Sequence, residues 1–207
     1  MAEIDRMLID IELAAFEKLV ARAYPTMPDD SKEWMRQLMR DGQRLCPNLL
    51  EVAVAKVGNL GHDATHGRDH PDGSDDKFAT VRLGSKGKNY SAAIGNFKNK
   101  LGYLRIYVYE RIQDKEYFFL VPFTAYDGLS HIEIPFYPES GYPKKGANVW
   151  WDKYQVNTFE DLSAAIPGKL KVTDRPDPKI TQSTLVVHKA AHIRRKELLT
   201  DLFGLAE

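Results

Sequence analysis

The sequence has almost no cysteine and no long apolar stretch. Cys46 is the only cysteine in 207 residues, which excludes an internal disulfide framework and a cluster of thiolate metal ligands. No run approaches the roughly 18 uninterrupted apolar residues that a membrane-spanning helix needs. Residues 1–10 carry acidic side chains and lack the apolar core of a secretory signal. These features predict a cytoplasmic protein without a membrane partner.

The chain also lacks a net charge, because 29 basic residues balance 29 acidic ones. The charges are nevertheless unevenly distributed. Five aspartates lie within residues 63–76, whereas the stretch from Lys77 to Tyr109 has no acidic residue and seven basic ones, Arg105 among them. An acidic cluster followed by a basic stretch could hold a divalent cation beside a polyanion. The alternative is a strand and loop whose basic side chains are simply solvated.

Hydrophobic periodicity predicts helices in the first part of the chain. They are expected over residues 3–23, from about Asp30 or Ser31 to Leu45, and over residues 49–57. Trp34, Leu38 and Leu45 are predicted to form the inner face of the second helix. Cys46 is expected to be a core or helix-end residue.

Strands are predicted over residues 77–83, 103–110, 117–123 and 131–136. Residues 84–100 are expected to form a polar loop, and residues 137–153 an aromatic loop rich in proline and glycine. Thr158 is expected to cap a short helix, and a final helix is predicted over about 184–205.

This order of elements predicts an α+β fold, in which helices flank a central mixed sheet. A single domain is expected over residues 1–207. Within it we predict an N-terminal helical region over 1–46, a core over 47–136 and a C-terminal region over 137–207 that contains the aromatic loop.

Asp75-Asp76-Lys77 opens a predicted strand, so the side chains of Asp75 and Lys77 should share one face while Asp76 points away. Asp63 lies twelve positions earlier, at the end of a short extended piece. If the two segments pair as a hairpin, two carboxylates and an ammonium group converge. Two carboxylates can hold Mg²⁺, with Mn²⁺ as a substitute, and a lysine beside them can stabilise charge on a phosphate. Phosphodiester hydrolysis is the chemistry that this set predicts.

Glu51 is the only acidic residue in the apolar helical run from Leu49 to Ala55. A glutamate among buried neighbours is costly unless it is paired or bound to a metal. It is expected to supply a third carboxylate from the helix that precedes the hairpin. The alternative is a surface glutamate on an amphipathic helix.

The pattern of Glu51 on a helix, then Asp63, then Asp75 and Lys77 on the next strand resembles the PD-(D/E)xK nuclease superfamily, which includes most type II restriction endonucleases. The resemblance covers about residues 48–123. It implies that Asp63, Asp75 and Lys77 are the metal and catalytic residues, and that Glu51 is an accessory ligand. The chain departs from the pattern because no proline precedes Asp63. Asp69 and Asp72 are therefore alternatives for the first acid.

The resemblance implies a sequence-specific endonuclease for double-stranded DNA, encoded by a bacterium or phage. It also implies a homodimer, for which the N-terminal helices are the expected surface. Polar side chains in the two long loops are of the types that contact bases and phosphates. The predicted DNA-contacting residues are Arg82, Lys86, Lys88, Asn89, Asn96, Lys98, Lys100, Lys144, Lys145 and Asn148.

Several alternatives use the same residues. His62, His66 and His70 could bind zinc, although Gly67 and Pro71 argue against the helix that their spacing would need. The same scaffold could also serve a repair, phage or toxin nuclease. A non-catalytic DNA-binding or regulatory protein would instead use the basic loop and the aromatic loop around Trp150-Trp151 only to grip nucleic acid.

Overall fold

The central element of the fold is a sheet with helices against one face and a second sheet against the other. The computed structural model describes residues 2–61, 69–83, 90–95, 102–129, 131–136 and 151–166, with side chains from Asp10 onward. All of them lie within one compact unit, Met1–Val172. The division of the chain into three functional regions remains a prediction.

The described residues form five α-helices and seven strands. The helices are α1 (Ala2–Ala23), α2 (Asp29–Arg40), α3 (Cys46–Val57), α4 (Phe123–Tyr126) and α5 (Phe159–Ser163). The strands are β1 (Asp75–Thr80), β2 (Arg82–Leu83), β3 (Tyr90–Ile94), β4 (Leu104–Glu110), β5 (Lys115–Val121), β6 (Ile132–Phe136) and β7 (Gln155–Val156). A short 3-10 helix, Trp151–Lys153, precedes β7.

The strands form two sheets. The central sheet has the order β1-β4-β5-β7, in which β1 runs parallel to β4 and the other pairs are antiparallel. The second sheet is antiparallel, with the order β2-β3-β6. A mixed sheet flanked by helices confirms the predicted α+β fold.

The register of the central sheet separates its two faces. Leu104, Ile106 and Val108 of β4 belong to the apolar core shared with the second sheet. The intervening β4 residues, such as Tyr107, face the helices, where Tyr107 contacts Phe159 of α5. Because neighbouring residues in register share a face, Asp75 and Lys77 of β1 lie on the side of the second sheet. Asp76 lies on the helix side, beside Arg105.

The first and third helices occur where the sequence predicts them, whereas α2 differs. It begins at Asp29 after Pro28 and ends at Arg40, before the predicted end at Leu45. Gly42 closes it in the left-handed conformation, with φ of +90°, and the Gln43 amide donates to the Leu38 carbonyl. Met35 and Met39 are its buried residues. The predicted inner face is therefore wrong at Trp34, which is 40% exposed, whereas Leu38 and Leu45 are half-buried.

The strand predicted over residues 77–83 is divided between the two sheets. Residues 75–80 pair with β4, whereas Arg82 and Leu83 pair with β3. The loop predicted over residues 84–100 contains β3, whose Ala92 and Ile94 are buried. Alanine and serine have weak strand preference, so this strand gave little sequence signal. Trp151 is also a core residue, fully buried against Phe119, which contradicts the idea that it grips nucleic acid.

Thr158 caps α5 as predicted, because its hydroxyl accepts the Asp161 amide at 3.0 Å and Asp161 reciprocates. In the part of the chain that the structure describes, no helix is both long and apolar enough to cross a lipid bilayer.

Candidate metal centre

The start of β1 places a carboxylate and an ammonium group together. The Lys77 ammonium forms an ion pair with the Asp75 carboxylate, and the Asp75 side chain is only 2% exposed. Lys77 is 17% exposed and so remains accessible from solvent. The expected placement of Asp75 and Lys77 on one strand face is therefore observed.

The turn that leads into β1, residues 69–74, is called here the acidic turn. The Asp69 amide donates to the Ser74 carbonyl at 2.8 Å, and the Gly73 amide donates to the His70 carbonyl at 3.0 Å. Gly73 has φ of +85°, a conformation that glycine adopts without steric cost. These bonds fold the acidic turn back on itself directly before Asp75.

The carboxylate of Asp69 reaches from the acidic turn to β1. Its Oδ2 accepts the Asp76 backbone amide at 2.6 Å. Burial, together with the negative charges of Asp75, Glu51 and Asp76, raises the pKa of Asp69 to about 8. The carboxyl groups of Asp75, Glu51 and Asp76 therefore lie near enough to Asp69 to repel its negative charge, and the four groups together are called here the acidic cluster. A cation would relieve that repulsion.

Glu51 reaches this region from α3, which packs against β1. Leu50, Ala53 and Val54 of the helix are buried, while Glu51 itself is half-buried. Its negative charge contributes to the raised pKa values of Asp69 and Asp76. The apolar run around Glu51 thus anchors α3 and leaves this carboxylate at the acidic cluster.

Asp76 faces the helix side of the sheet and pairs with His70. The His70 Nε2 lies 2.8 Å from the Asp76 Oδ2, and the Nδ1 lies 3.2 Å from the Gly61 carbonyl oxygen. Burial works to lower the pKa of His70, but the hydrogen bond and charge of Asp76 outweigh it and raise the pKa. Both ring nitrogens face oxygen acceptors, which argues against His70 as a zinc ligand. His62 and His66 lie outside the described residues.

The donor set suits Mg²⁺ chemically, since carboxylate oxygens are hard ligands. The buried Asp76 Oδ1 accepts no hydrogen bond from the described residues. Within those same residues, no group of three or more His, Cys, Asp or Glu side chains has the geometry of a preformed metal site. The structure therefore shows a carboxylate cluster with suitable chemistry and not a finished coordination cage.

Asp63 lies outside the described residues, so its pairing with β1 stays a prediction. Of the two alternatives for the first acid, Asp69 adjoins the cluster. Asp72 instead binds Arg105, with the Arg105 Nη2 at 2.5 Å from its Oδ2.

Among the predicted DNA-contacting residues, the structure describes Arg82. Its guanidinium lies 3.5 Å from the Glu12 carboxylate and 3.2 Å from the Thr80 hydroxyl, and its side chain is 45% exposed. The remaining ones lie outside the described residues: Lys86, Lys88, Asn89, Asn96, Lys98, Lys100, Lys144, Lys145 and Asn148.

Arg105 belongs to the basic stretch of the sequence, but its side chain is fully buried. It therefore offers no positive charge to a polyanion at the surface. The one signal in the sequence was its place in the apolar strand Leu104–Glu110, where a charged side chain requires buried partners. The sequence carries no comparable signal for the His70–Asp76 pair. His70 belongs to a turn and Asp76 to a strand, and only tertiary packing brings their side chains together.

No protein-family model, curated protein or solved structure matches this chain. The resemblance to the PD-(D/E)xK superfamily therefore rests on the residues and their order alone.

Proposed function

We propose that this chain is a Mg²⁺-dependent endonuclease that hydrolyses phosphodiester bonds of double-stranded DNA. The observation that carries the proposal is the contact between the Asp75 carboxylate and the Lys77 ammonium on one face of β1, next to the Asp69 carboxylate. A buried acid, a neighbouring acid and an accessible cation are the groups that metal-assisted phosphoryl hydrolysis needs.

In this proposal Asp75, Asp69 and Glu51 hold the cation, and Asp63 is a further ligand from outside the described residues. When bound, Mg²⁺ would neutralise the phosphate and make a bound water more acidic. Lys77 orients the attacking water and stabilises the negative charge that develops on the phosphate. The ion pair with Asp75 keeps the ammonium group in place before substrate arrives.

We further propose that the enzyme is a type II restriction endonuclease that acts as a homodimer in the cytoplasm. Support for this finer statement comes from the resemblance and from the lysine and asparagine side chains within residues 84–89, 96–100 and 137–150, which are of the types that contact bases and phosphates. The N-terminal helices remain the expected dimer surface.

Plasmid digestion tests the proposal directly. Purified wild-type protein and the variants Asp75→Asn and Asp29→Asn are incubated with a plasmid of known sequence, in Mg²⁺ or in EDTA. Asp29 is a matched control, because it is an aspartate on α2 whose side chain is 96% exposed. We expect cleavage by wild type and Asp29→Asn in Mg²⁺, and none in EDTA or by Asp75→Asn.

The pattern of products distinguishes the alternatives. Discrete bands would indicate site-specific cutting, and a smear would indicate a nuclease of another class. Intact plasmid under all conditions, together with a gel shift of the DNA, would contradict the nuclease and favour a DNA-binding protein. Equal cleavage by wild type and Asp75→Asn would show that this cluster is not the active site.

A further inference from the structure

Arg105 is a fully buried arginine in the middle of β4. It is the neighbour in register of Asp76 on β1, and therefore lies beside Asp76 on the helix face of the sheet. A buried guanidinium is stable only when its N–H groups are paired. The partners of Arg105 are thus informative about its role.

The guanidinium of Arg105 connects the acidic turn to α5. Its Nε donates to the Ser74 hydroxyl at 2.8 Å, and its Nη2 donates to the Asp72 Oδ2 at 2.5 Å. Its Nη1 donates to the carbonyl oxygens of Leu162 and Ala164. The Arg105 side chain therefore joins Asp72 and Ser74 of the acidic turn to the C-terminal end of α5.

Ser74 and Asp72 complete a closed set of hydrogen bonds. The Asp72 Oδ1 accepts from the Ser74 amide at 3.0 Å and from the Ser74 hydroxyl at 2.6 Å. Burial alone would raise the pKa of Asp72, but the bonds from Ser74 and the charge of Arg105 outweigh it and hold the pKa below its ordinary value. Asp72 is thereby kept as the anion that Arg105 binds.

The same turn determines where Asp69 lies. The Ser74 carbonyl accepts the amides of Asp69 and His70, at 2.8 Å and 3.3 Å. The Asp69 carboxylate in turn accepts a hydrogen bond from the Asp76 amide. Displacement of Ser74 would therefore move the Asp69 carboxylate relative to Asp75, although Arg105 makes no described hydrogen bond with either carboxylate.

We propose that Arg105 is a positioning residue, which acts through Ser74 and Asp72 to hold Asp69 beside Asp75 for cation binding. The inference rests on the proposed function of this cluster. Lysine cannot replace arginine here, because a single ammonium group lacks the planar fork that reaches a hydroxyl, a carboxylate and two carbonyls together.

Mn²⁺ binding to the full chain, measured by the loss of the electron paramagnetic resonance signal of the free ion, tests the role. The variants are Arg105→Lys and the milder Ser74→Ala, and thermal unfolding is followed for each by circular dichroism. Arg22→Lys is the matched control, because Arg22 also forms a partly buried ion pair on the sheet's helix face, with Glu116. We expect Arg105→Lys to weaken Mn²⁺ binding about 10- to 100-fold, and Ser74→Ala by about tenfold.

A role in stability alone would give a different result. In that case Ser74→Ala and Arg105→Lys would lower the unfolding temperature as Arg22→Lys does, and leave the Mn²⁺ dissociation constant unchanged. That result in variants that fold would overturn the positioning role while the proposed function stands. If Arg105→Lys does not fold, Ser74→Ala decides between the two. A wild-type protein that binds no Mn²⁺ and cuts no DNA would instead contradict the proposed function, and the inference with it.

Discussion

Two buried or partly buried arginines lie on the helix face of the central sheet, and their surroundings differ. Arg22 of α1 binds Glu116 of β5 through two hydrogen bonds, of 2.6 Å and 2.9 Å. The Tyr107 hydroxyl donates to the same carboxylate at 2.7 Å, and the guanidinium also packs over the Phe159 ring. One positive charge meets one negative charge, and an aromatic surface surrounds both.

Arg105 lies among many more acids. Asp72 binds it directly, Asp76 is its neighbour in register, and Asp69 and Asp75 lie at the same end of β1. Even with Lys77 and a protonated His70 included, the carboxyl groups outnumber the cations once Glu51 is counted. The comparison shows that the ion pair of Arg22 is complete by itself, whereas the cluster near Arg105 has a surplus of acidic groups, which raises the pKa of Asp69. A surplus of acidic groups at a partly accessible strand end is where a divalent cation is expected.

After the loss of cleavage expected for Asp75→Asn, the largest expected effect comes from Lys77→Ala. Loss of the ammonium group should reduce DNA cleavage by about 100- to 1000-fold, because a preorganised positive charge at the phosphate is removed. Mn²⁺ binding should not weaken, since Asp75 loses a competing cation. Single-turnover cleavage at saturating Mg²⁺ and a Mn²⁺ titration measure the two effects. Lys115→Ala, at an exposed lysine on β5, is the control, and cleavage by Lys77→Ala at the wild-type rate would remove lysine from the mechanism.

Gly102→Ala should disturb the acidic cluster through the backbone. A Cβ at this position would overlap the Gly73 carbonyl of the acidic turn. We expect a loss of about 1–3 kcal/mol in the free energy of unfolding, measured by urea denaturation, together with weaker Mn²⁺ binding. Gly95→Ala is the control, because a Cβ there meets no atom of the described residues within 4 Å. Unchanged Mn²⁺ binding by Gly102→Ala would mean that the turn and the cation site are independent.

Glu116→Gln should affect stability and leave the cluster intact. Burial works to raise the pKa of Glu116, but the hydrogen bonds from Arg22 and Tyr107 outweigh it and lower the pKa. The ionised form is therefore favoured by folding, so its contribution is present at neutral pH and is lost as the pH falls through the folded-state pKa. We expect the variant to lose about 1 kcal/mol at neutral pH, because the pair is partly open to solvent.

Urea unfolding at pH 7 and below about pH 4 measures the effect of Glu116→Gln, and the difference from wild type should shrink in acid. Mn²⁺ binding should match the wild type. A variant whose Mn²⁺ affinity fell with its stability would show that the two arginine clusters are coupled.

The smallest expected effect is that of Asp29→Asn. The Asp29 carboxylate lies 3.3 Å from the Lys32 ammonium at the start of α2, and the aspartate is 96% exposed. Exposed pairs of this kind contribute little because water screens them. No measurable change in unfolding midpoint, Mn²⁺ binding or cleavage is expected. A clear loss of cleavage would instead point to a role for α2 in the active assembly, such as the predicted dimer surface.

Much of the fold could be predicted from local patterns. Hydrophobic periodicity predicts the helix over 3–23, the apolar helix around Glu51 and the strands β4 to β6. A short-range hydrogen bond explains the cap at Thr158. The predictions of secondary structure and burial are wrong where contacts with other elements determine the structure. Trp34 is exposed since α2 buries Met35 and Met39 instead, and β3 is a strand because β2 and β6 pair with it.

The candidate site divides in the same way. Alternation along a strand is a local property, so the sequence by itself determined that Asp75 and Lys77 share a face and that Asp76 does not. Only the tertiary structure decided that Asp69 joins them, that Asp72 binds Arg105 and that Asp76 pairs with His70. Those contacts join different elements of the fold. A buried charged group requires a partner of opposite charge, and the packing of the elements determines which one lies near it.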